Sequence, residues 1–248
     1  MKTAVKILML TAVASYLIFA VATLSHSNDD KICSGIKIVL NNTTRDCYMT
    51  EGYVRDIITR HKIYPEGQKL SQINLNDIET AVKTSPYVDS VLCYYTPKGI
   101  LCVKVNPVKP IIQIIASNGQ QYYMDDKGKV LPTSDFDLDL CLATGNITPQ
   151  TARTVLLDLA QYLNSHSPWD KEIQQVNVID PNHISLTALT GSHSIMLGPP
   201  TDLEEKFDRL TIFYKEGLDK VGWNKYKEIN LSFADQVVCT RTETSKKR

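Results

Sequence analysis

The chain has 248 residues, a length that suits one or two globular domains. Its 27 Lys and Arg balance 27 Asp and Glu, so it lacks the cationic surplus with which a nucleic-acid binder neutralises phosphates. The 43% apolar content excludes a disordered chain, and six cysteines without Cys-x-x-Cys spacing are too few for a disulfide scaffold and wrong for a zinc knuckle.

Residues 1–6 carry Lys2 and Lys6 and read as a cytoplasmic N-terminus. Ile7 to Leu24 then runs 18 residues without a charge. As a helix this segment is ~27 Å long, close to the ~30 Å hydrocarbon core of a bilayer. Asp29 and Asp30 follow, so the positive-inside rule exports the rest of the chain. Two readings stay open. One is an uncleaved transmembrane anchor over 7–24; the other is a signal peptide cut after Ala20-Val21-Ala22.

A polar linker, 25–32, leads into a first unit over 33–107. Gly35 to Leu40 reads as a strand and is followed by a loop with Asn41 to Thr44. Thr50 is the expected N-cap of a helix whose Val54, Ile57 and Ile58 share a face. Asn76 is the expected cap of a second helix, Asp77 to Lys83, with Ile78 and Val82 four apart. A hairpin follows, Val88 to Tyr95 and Ile100 to Asn106, with Thr96-Pro97-Lys98-Gly99 as a four-residue turn. That turn makes Tyr95 face Ile100. Leu92 and Tyr94 then oppose Val103 and Leu101 on an apolar face, and Cys93 opposes Cys102 on the other. Opposed β-carbons lie about 4.5–5.5 Å apart, so Cys93 and Cys102 either bridge or stay as two thiols. Cys33 and Cys47 leave the same choice open.

The second unit, 108–241, is rich in strands. Ile111 to Ile115, Gln121 to Met124 and Val130-Leu131 are separated by the turns Asn118-Gly119 and Asp126-Lys127-Gly128. Asp135 to Leu142 alternates like another strand. Thr148-Pro149 opens a helix through Leu163. Three strands follow, Glu172 to Ile179, Ile184 to Leu189 and Ser192 to Leu197. Thr201 with Glu204 reads as a capping box for a second helix whose inner face holds Leu203, Phe207, Leu210 and Tyr214. Tyr226 to Phe233 and Gln236 to Thr240 form a last pair of strands, with Leu231 facing Val238. Residues 242–248 read as a disordered tail. The fold class is therefore α+β: a single N-terminal transmembrane helix, a small β-α-α-β-β domain, and a β-rich domain with two packed helices.

No constellation for chemistry emerges. His26, His61, His166, His183 and His193 have no metal-ligand spacing, and the acids at 135, 137 and 139 lack the glycine and the terminal acid of a calcium loop. No nucleophile elbow, phosphate loop or dinucleotide fingerprint occurs. The expectation is a protein that is not an enzyme and has no catalytic residue, metal, cofactor or small-molecule substrate.

An exported module of this kind is expected to bind another protein, and a sheet edge offers unpaired main-chain groups for that purpose. The last strand, Gln236, Val237, Val238, Cys239 and Thr240, is uncharged and free of glycine and proline. The tail after it holds no element to cover it. Val237 and Cys239 put apolar groups on its nominally wet face.

The order of these segments resembles the FtsQ/DivIB family of bacterial cell division. Ser85-Pro86-Tyr87-Val88 and Leu101-Cys-Val-Lys-Val105 are similar to its POTRA domain, and Tyr122-Tyr-Met-Asp-Asp-Lys-Gly-Lys129 is similar to the turn that opens its β domain. Leu142-Ala-Thr-Gly145 and Ile229-Asn-Leu-Ser-Phe233 match later segments. The resemblance implies a scaffold at the division septum, held in the cytoplasmic membrane with its domains outside. It would bind small bitopic partners, FtsB-like and FtsL-like, through the last strand, and link early to late septum components. Phe233 would replace a tyrosine at that interface, while the family's late aromatic is missing at Cys239-Thr240-Arg241. Proline at Val238 or Thr240 is expected to block strand addition if that N–H faces the partner. The competing readings are a POTRA-type component of envelope assembly or secretion, and a secreted enzyme with an unrecognised site.

Overall fold

In the computed structural model, which describes residues 2–26, 31–41, 49–134 and 138–242, the chain divides into two units after Val108. The first helix, α1 (Lys2–His26), covers the expected anchor, and its side chains are described over 9–21. Met9, Leu10, Val13, Leu17 and Phe19 are exposed. Among the described residues no helix is long and apolar enough to cross a membrane, so the transmembrane reading of 7–24 finds no support in them. Linker residues 27–30, Cys47, the strand start at 135–137 and tail residues 243–248 lie outside the described residues.

The first unit is built from β1 (Gly35–Leu40), α2 (Glu51–Arg60), α3 (Leu75–Lys83), β2 (Val88–Tyr95) and β3 (Ile100–Pro107). The sheet order is β1-β3-β2, with β1 parallel and β2 antiparallel to the central β3. Thr50 caps α2 as expected, its Oγ1 accepting the Tyr53 N–H at 3.2 Å. The cap of α3 is Asn74 rather than Asn76, its Oδ1 accepting the Asn76 N–H at 3.0 Å. Val54, Ile57 and Ile58 of α2 and Ile78 and Val82 of α3 are buried with Leu101, Val103 and Val105 of β3.

The hairpin register differs from expectation by one residue. Thr96 N–H donates to the Ile100 carbonyl (2.9 Å), and Ile100 N–H donates to Thr96 Oγ1 (3.1 Å). The loop is thus the three residues Pro97-Lys98-Gly99, with Gly99 at φ +77°. A type I turn followed by a left-handed residue closes three-residue hairpins, and glycine takes that last place at no steric cost. The slip turns the side chains of β2 over relative to those of β3. Leu92 faces Lys104 and Tyr94 faces Cys102, both exposed, while Val91, Cys93 and Tyr95 face Val105, Val103 and Leu101.

Cys93 and Cys102 therefore point to opposite faces, and each is a free, buried thiol. Of the two outcomes left open by the sequence, the pair takes the unbridged one. Burial, with Glu79 nearby, pushes the Cys93 thiol up to about 12. Cys33 is also free and buried.

The second unit holds one nine-stranded sheet in the order β12-β11-β10-β9-β8-β7-β4-β5-β6. Its strands are β4 (Pro110–Ala116), β5 (Gln121–Asp125), β6 (Val130–Leu131), β7 (Cys141–Gly145), β8 (Ile173–Asp180), β9 (His183–Ala188), β10 (Ser194–Gly198), β11 (Tyr226–Asn230) and β12 (Val238–Arg241). Pairing is parallel for β4/β7, β7/β8 and β10/β11 and antiparallel elsewhere. β7 begins at Cys141, paired with Ile112, not at Asp135.

Two helical arms pack on this sheet. The first runs through α4 (Pro149–Thr151), a π-helical stretch Ala152–Leu156 and α5 (Leu157–Ser165), opened by Thr148 as expected, and is followed by the short α6 (Trp169–Glu172). The second runs through α7 (Leu203–Ile212), a π-helical stretch Phe213–Leu218 and α8 (Asp219–Val221). Its cap is Asp202 at φ 54°, with no side-chain cap bond, so the Thr201–Glu204 capping box is not formed. Leu156, Leu159, Leu163, Phe207 and Leu210 join Ile112, Ile114, Val176, Leu186, Ile195 and Ile229 in one core.

Candidate interaction edge

The last two strands differ in how firmly they are held. Ile229 and Leu231 are fully buried, and Leu231 N–H donates to the Met196 carbonyl at 2.8 Å. These odd-numbered residues turn their main-chain groups toward β10, so Glu228 and Asn230 turn theirs toward β12. β11 ends at Asn230 because Asn230 Oδ1 accepts the Ser232 N–H (2.9 Å) and hydroxyl (2.6 Å), a local bond that competes with the ladder. Arg209 Nη2 reaches across from α7 to donate to the Leu231 and Phe233 carbonyls, 3.4 Å each.

That early stop changes the expected register. Asn230, not Leu231, faces Val238, Ile229 faces Cys239 and Glu228 faces Thr240. Of the six residues expected at the interface, Phe233, Gln236 and Val237 lie in the loop before β12, and Val238, Cys239 and Thr240 lie in the strand. Phe233 and Val238 are apolar and exposed, at 47% and 43%. Gln236 and Thr240 are exposed. Val237 and Cys239 are half-buried and pack on the core. Burial raises the Cys239 thiol above its ordinary value, so it stays protonated at neutral pH.

β12 pairs with β11 and lies at the margin of the sheet. Its alternation follows from one further bond: Thr242 N–H donates to the Lys225 carbonyl at 3.0 Å. Counting back by twos, Thr240 and Val238 turn their main-chain groups inward, in agreement with the direction of Glu228 and Asn230. Cys239 and Arg241 turn theirs outward. The edge thus offers two N–H groups and two carbonyls with the spacing of a strand, beside the exposed Val238 side chain. Sequence reading found the strand but missed Arg241, because a charged residue after an apolar run reads as the start of the tail. Among the described residues no three His, Cys, Asp or Glu side chains gather as a metal-ligand set.

A family model described as FtsQ/DivIB, C-terminal related, matches residues 109–240, and one described as a POTRA-like domain matches residues 31–106. The two matches follow the division of the chain into its two units. The comparison with curated proteins gave no match.

Proposed function

The chain belongs to the FtsQ/DivIB family, and from that premise we propose that it is a non-catalytic scaffold of cell division which binds its partners by strand addition at β12. The observation that carries this reading is the outward set of main-chain groups at Cys239 and Arg241 on a margin strand. The partners fitting it are FtsB-like and FtsL-like bitopic division proteins, each able to supply a short extended segment. The POTRA-like unit serves recruitment, and the scaffold links early to late components of the septum.

In this reading Ile7 to Leu24 spans the cytoplasmic membrane at the division site, with Met1 inside. Its support is the uncharged run between Lys2 and Lys6 on one side and Asp29 and Asp30 on the other. The domains after it then stand outside the cytosol, where the partners' extracytoplasmic segments are.

Co-purification of the full chain with the FtsB-like protein tests the edge. Because the N–H groups of Val238 and Thr240 point into the ladder, the informative prolines are at 239 and 241. Proline is tolerated in an edge strand when its missing N–H faced solvent. Cys239→Pro and Arg241→Pro should each lower recovery of the partner roughly fivefold or more, the worth of about one net main-chain hydrogen bond at ~1 kcal/mol plus the obstructing ring. Thr240→Ala should leave recovery unchanged. Full recovery of the partner by both proline variants, with an intact far-UV spectrum, would refute strand addition at β12.

A further inference from the structure

The chain has two tryptophans, and both stand on one pocket of the second unit. Trp169, Tyr214 and Trp223 wall a space of about 290 Å³. The Tyr214 ring centre lies 5.9 Å from that of Trp169 with planes at 59°, and 4.8 Å from that of Trp223 with planes at 68°. The rings meet as the sides of a corner instead of lying flat on one another. Two of the three have their polar atoms engaged: the Tyr214 hydroxyl bonds His193 Nε2 at 2.9 Å, and Trp223 Nε1 donates to Asp219 Oδ1 at 3.1 Å. What Tyr214 and Trp223 have left to offer a ligand is ring surface.

One acid completes the wall. Glu172 is held by Thr190, whose N–H donates to Oε1 at 3.0 Å and whose hydroxyl donates to Oε2 at 2.9 Å. The carboxylate is therefore fixed on the rim. Burial first, and then the Glu172 charge, raise the Tyr214 phenol above its ordinary range, which places the field of that charge on the aromatic wall. Lys215, exposed, shares the rim.

Ring faces and a nearby carboxylate attract cations, and the kind of cation follows from what is missing. A primary ammonium asks for three acceptors and a guanidinium for five, whereas Glu172, the one carboxylate among the described lining residues, already accepts twice. A fully methylated nitrogen asks for none. We propose that this pocket binds a quaternary ammonium group, held by the rings of Trp169, Tyr214 and Trp223 and by the charge of Glu172. The ligand is bound and released unchanged. Free choline and the phosphocholine headgroup both carry this group, and they differ by the phosphate.

Because both tryptophans line the pocket, the emission of the full chain in a maltoside detergent reports its occupancy. Titration with choline chloride should give a saturating change. Its uncharged isostere, 3,3-dimethylbutan-1-ol, should bind about tenfold more weakly, in line with the worth of a desolvated cation–π contact. Glu172→Gln should weaken choline roughly three- to thirtyfold, and Lys215→Gln should tighten it. Trp223→Leu, which leaves Glu172 in place, should lose most of the preference for choline over the isostere. Phosphocholine titrated alongside assigns the source: tighter binding than choline indicates a headgroup, weaker binding a free cation. Equal binding of choline and its isostere, or choline binding unaltered in both Glu172→Gln and Trp223→Leu, would overturn the proposal and leave an apolar pocket.

Discussion

Gly198 lies directly against Ser232: a Cβ placed on Gly198 would stand 2.8 Å from the Ser232 Cβ, where real β-carbons are never found. Gly198 ends β10 at φ +73°, and Ser232 is the residue whose N–H the Asn230 side chain has taken from the ladder. The loop that delivers β12 to the margin of the sheet therefore passes over the end of β10 at a distance only glycine permits.

Gly198→Ala should accordingly cost about 2–3 kcal/mol, part from the left-handed backbone and part from the overlap with Ser232. In urea unfolding of the second unit the midpoint should fall with little change of slope, because the surface exposed on unfolding is the same. The same variant should weaken partner recovery if the loop shifts β12.

Amide hydrogen exchange reads the alternation of the edge without any partner. Thr240 and Val238 turn inward, so their amides should be protected, as should Leu231, bonded to Met196 at 2.8 Å. Cys239 and Arg241 should exchange at rates near those of an open chain. Addition of the partner strand should slow those two amides and leave Thr240 unchanged. A pattern with 238 and 240 fast would place the free groups on the other set and move the informative prolines back to them.

Helix faces were legible in the sequence where strand faces were not, for a physical reason. Ile78 and Val82, or Phe207 and Leu210, keep the same inner face even when a helix start is misplaced by a residue or two, as happened at Asn74 and Asp202. A strand has a period of two, so one residue gained or lost in a turn inverts it. Both hairpins slipped in this way. At the first, Gly99 took the left-handed place of a three-residue loop; at the second, Asn230 ended β11 before Leu231. The parallel pairing of β4 with β7 and of β10 with β11 joins distant segments and leaves no local mark. The pocket of Trp169, Tyr214 and Trp223 was hidden for the same reason, since its walls come from three separate segments. The margin strand was legible, because an apolar run before a polar end needs only local information.

High pH should destabilise the fold in a defined window. Burial pushes the thiols of Cys93 and Cys141 up to about 12 from an ordinary 9.0. Burial, with Glu204 and Asp208 nearby, does the same to the Tyr162 phenol, from 10.0 to about 12. Each group holds its proton in the folded chain over a range where the unfolded chain has lost it. Their contribution is thus fully present below about pH 9 and disappears as the pH climbs to about 12. The urea midpoint should be flat from pH 7 to 9 and fall beyond it, and Cys141→Ala should make that fall shallower. Iodoacetamide at pH 8 should leave Cys93 and Cys141 unmodified until urea is added, since the thiolate is the reacting form.

The hairpin register of the first unit makes a final, opposed pair of predictions. Leu92 is 57% exposed beside Lys104, while Val103 is fully buried facing Cys93. Leu92→Lys should change stability by no more than about 0.5 kcal/mol, as surface changes do. Val103→Ala removes two buried methyl groups from a closed core and should cost roughly 2–3 kcal/mol. In the four-residue-turn register Leu92 and Val103 would face each other on the apolar side, and both substitutions would be costly. Measuring the two midpoints side by side separates the registers, because Leu92→Lys alone changes from neutral to severe. The same slip bears on the cysteines: with Cys93 facing Val103, the two thiols point to opposite faces and remain unbridged under oxidising conditions. A mass spectrum of the unreduced, unfolded chain after alkylation should then show Cys93 and Cys102 both modified.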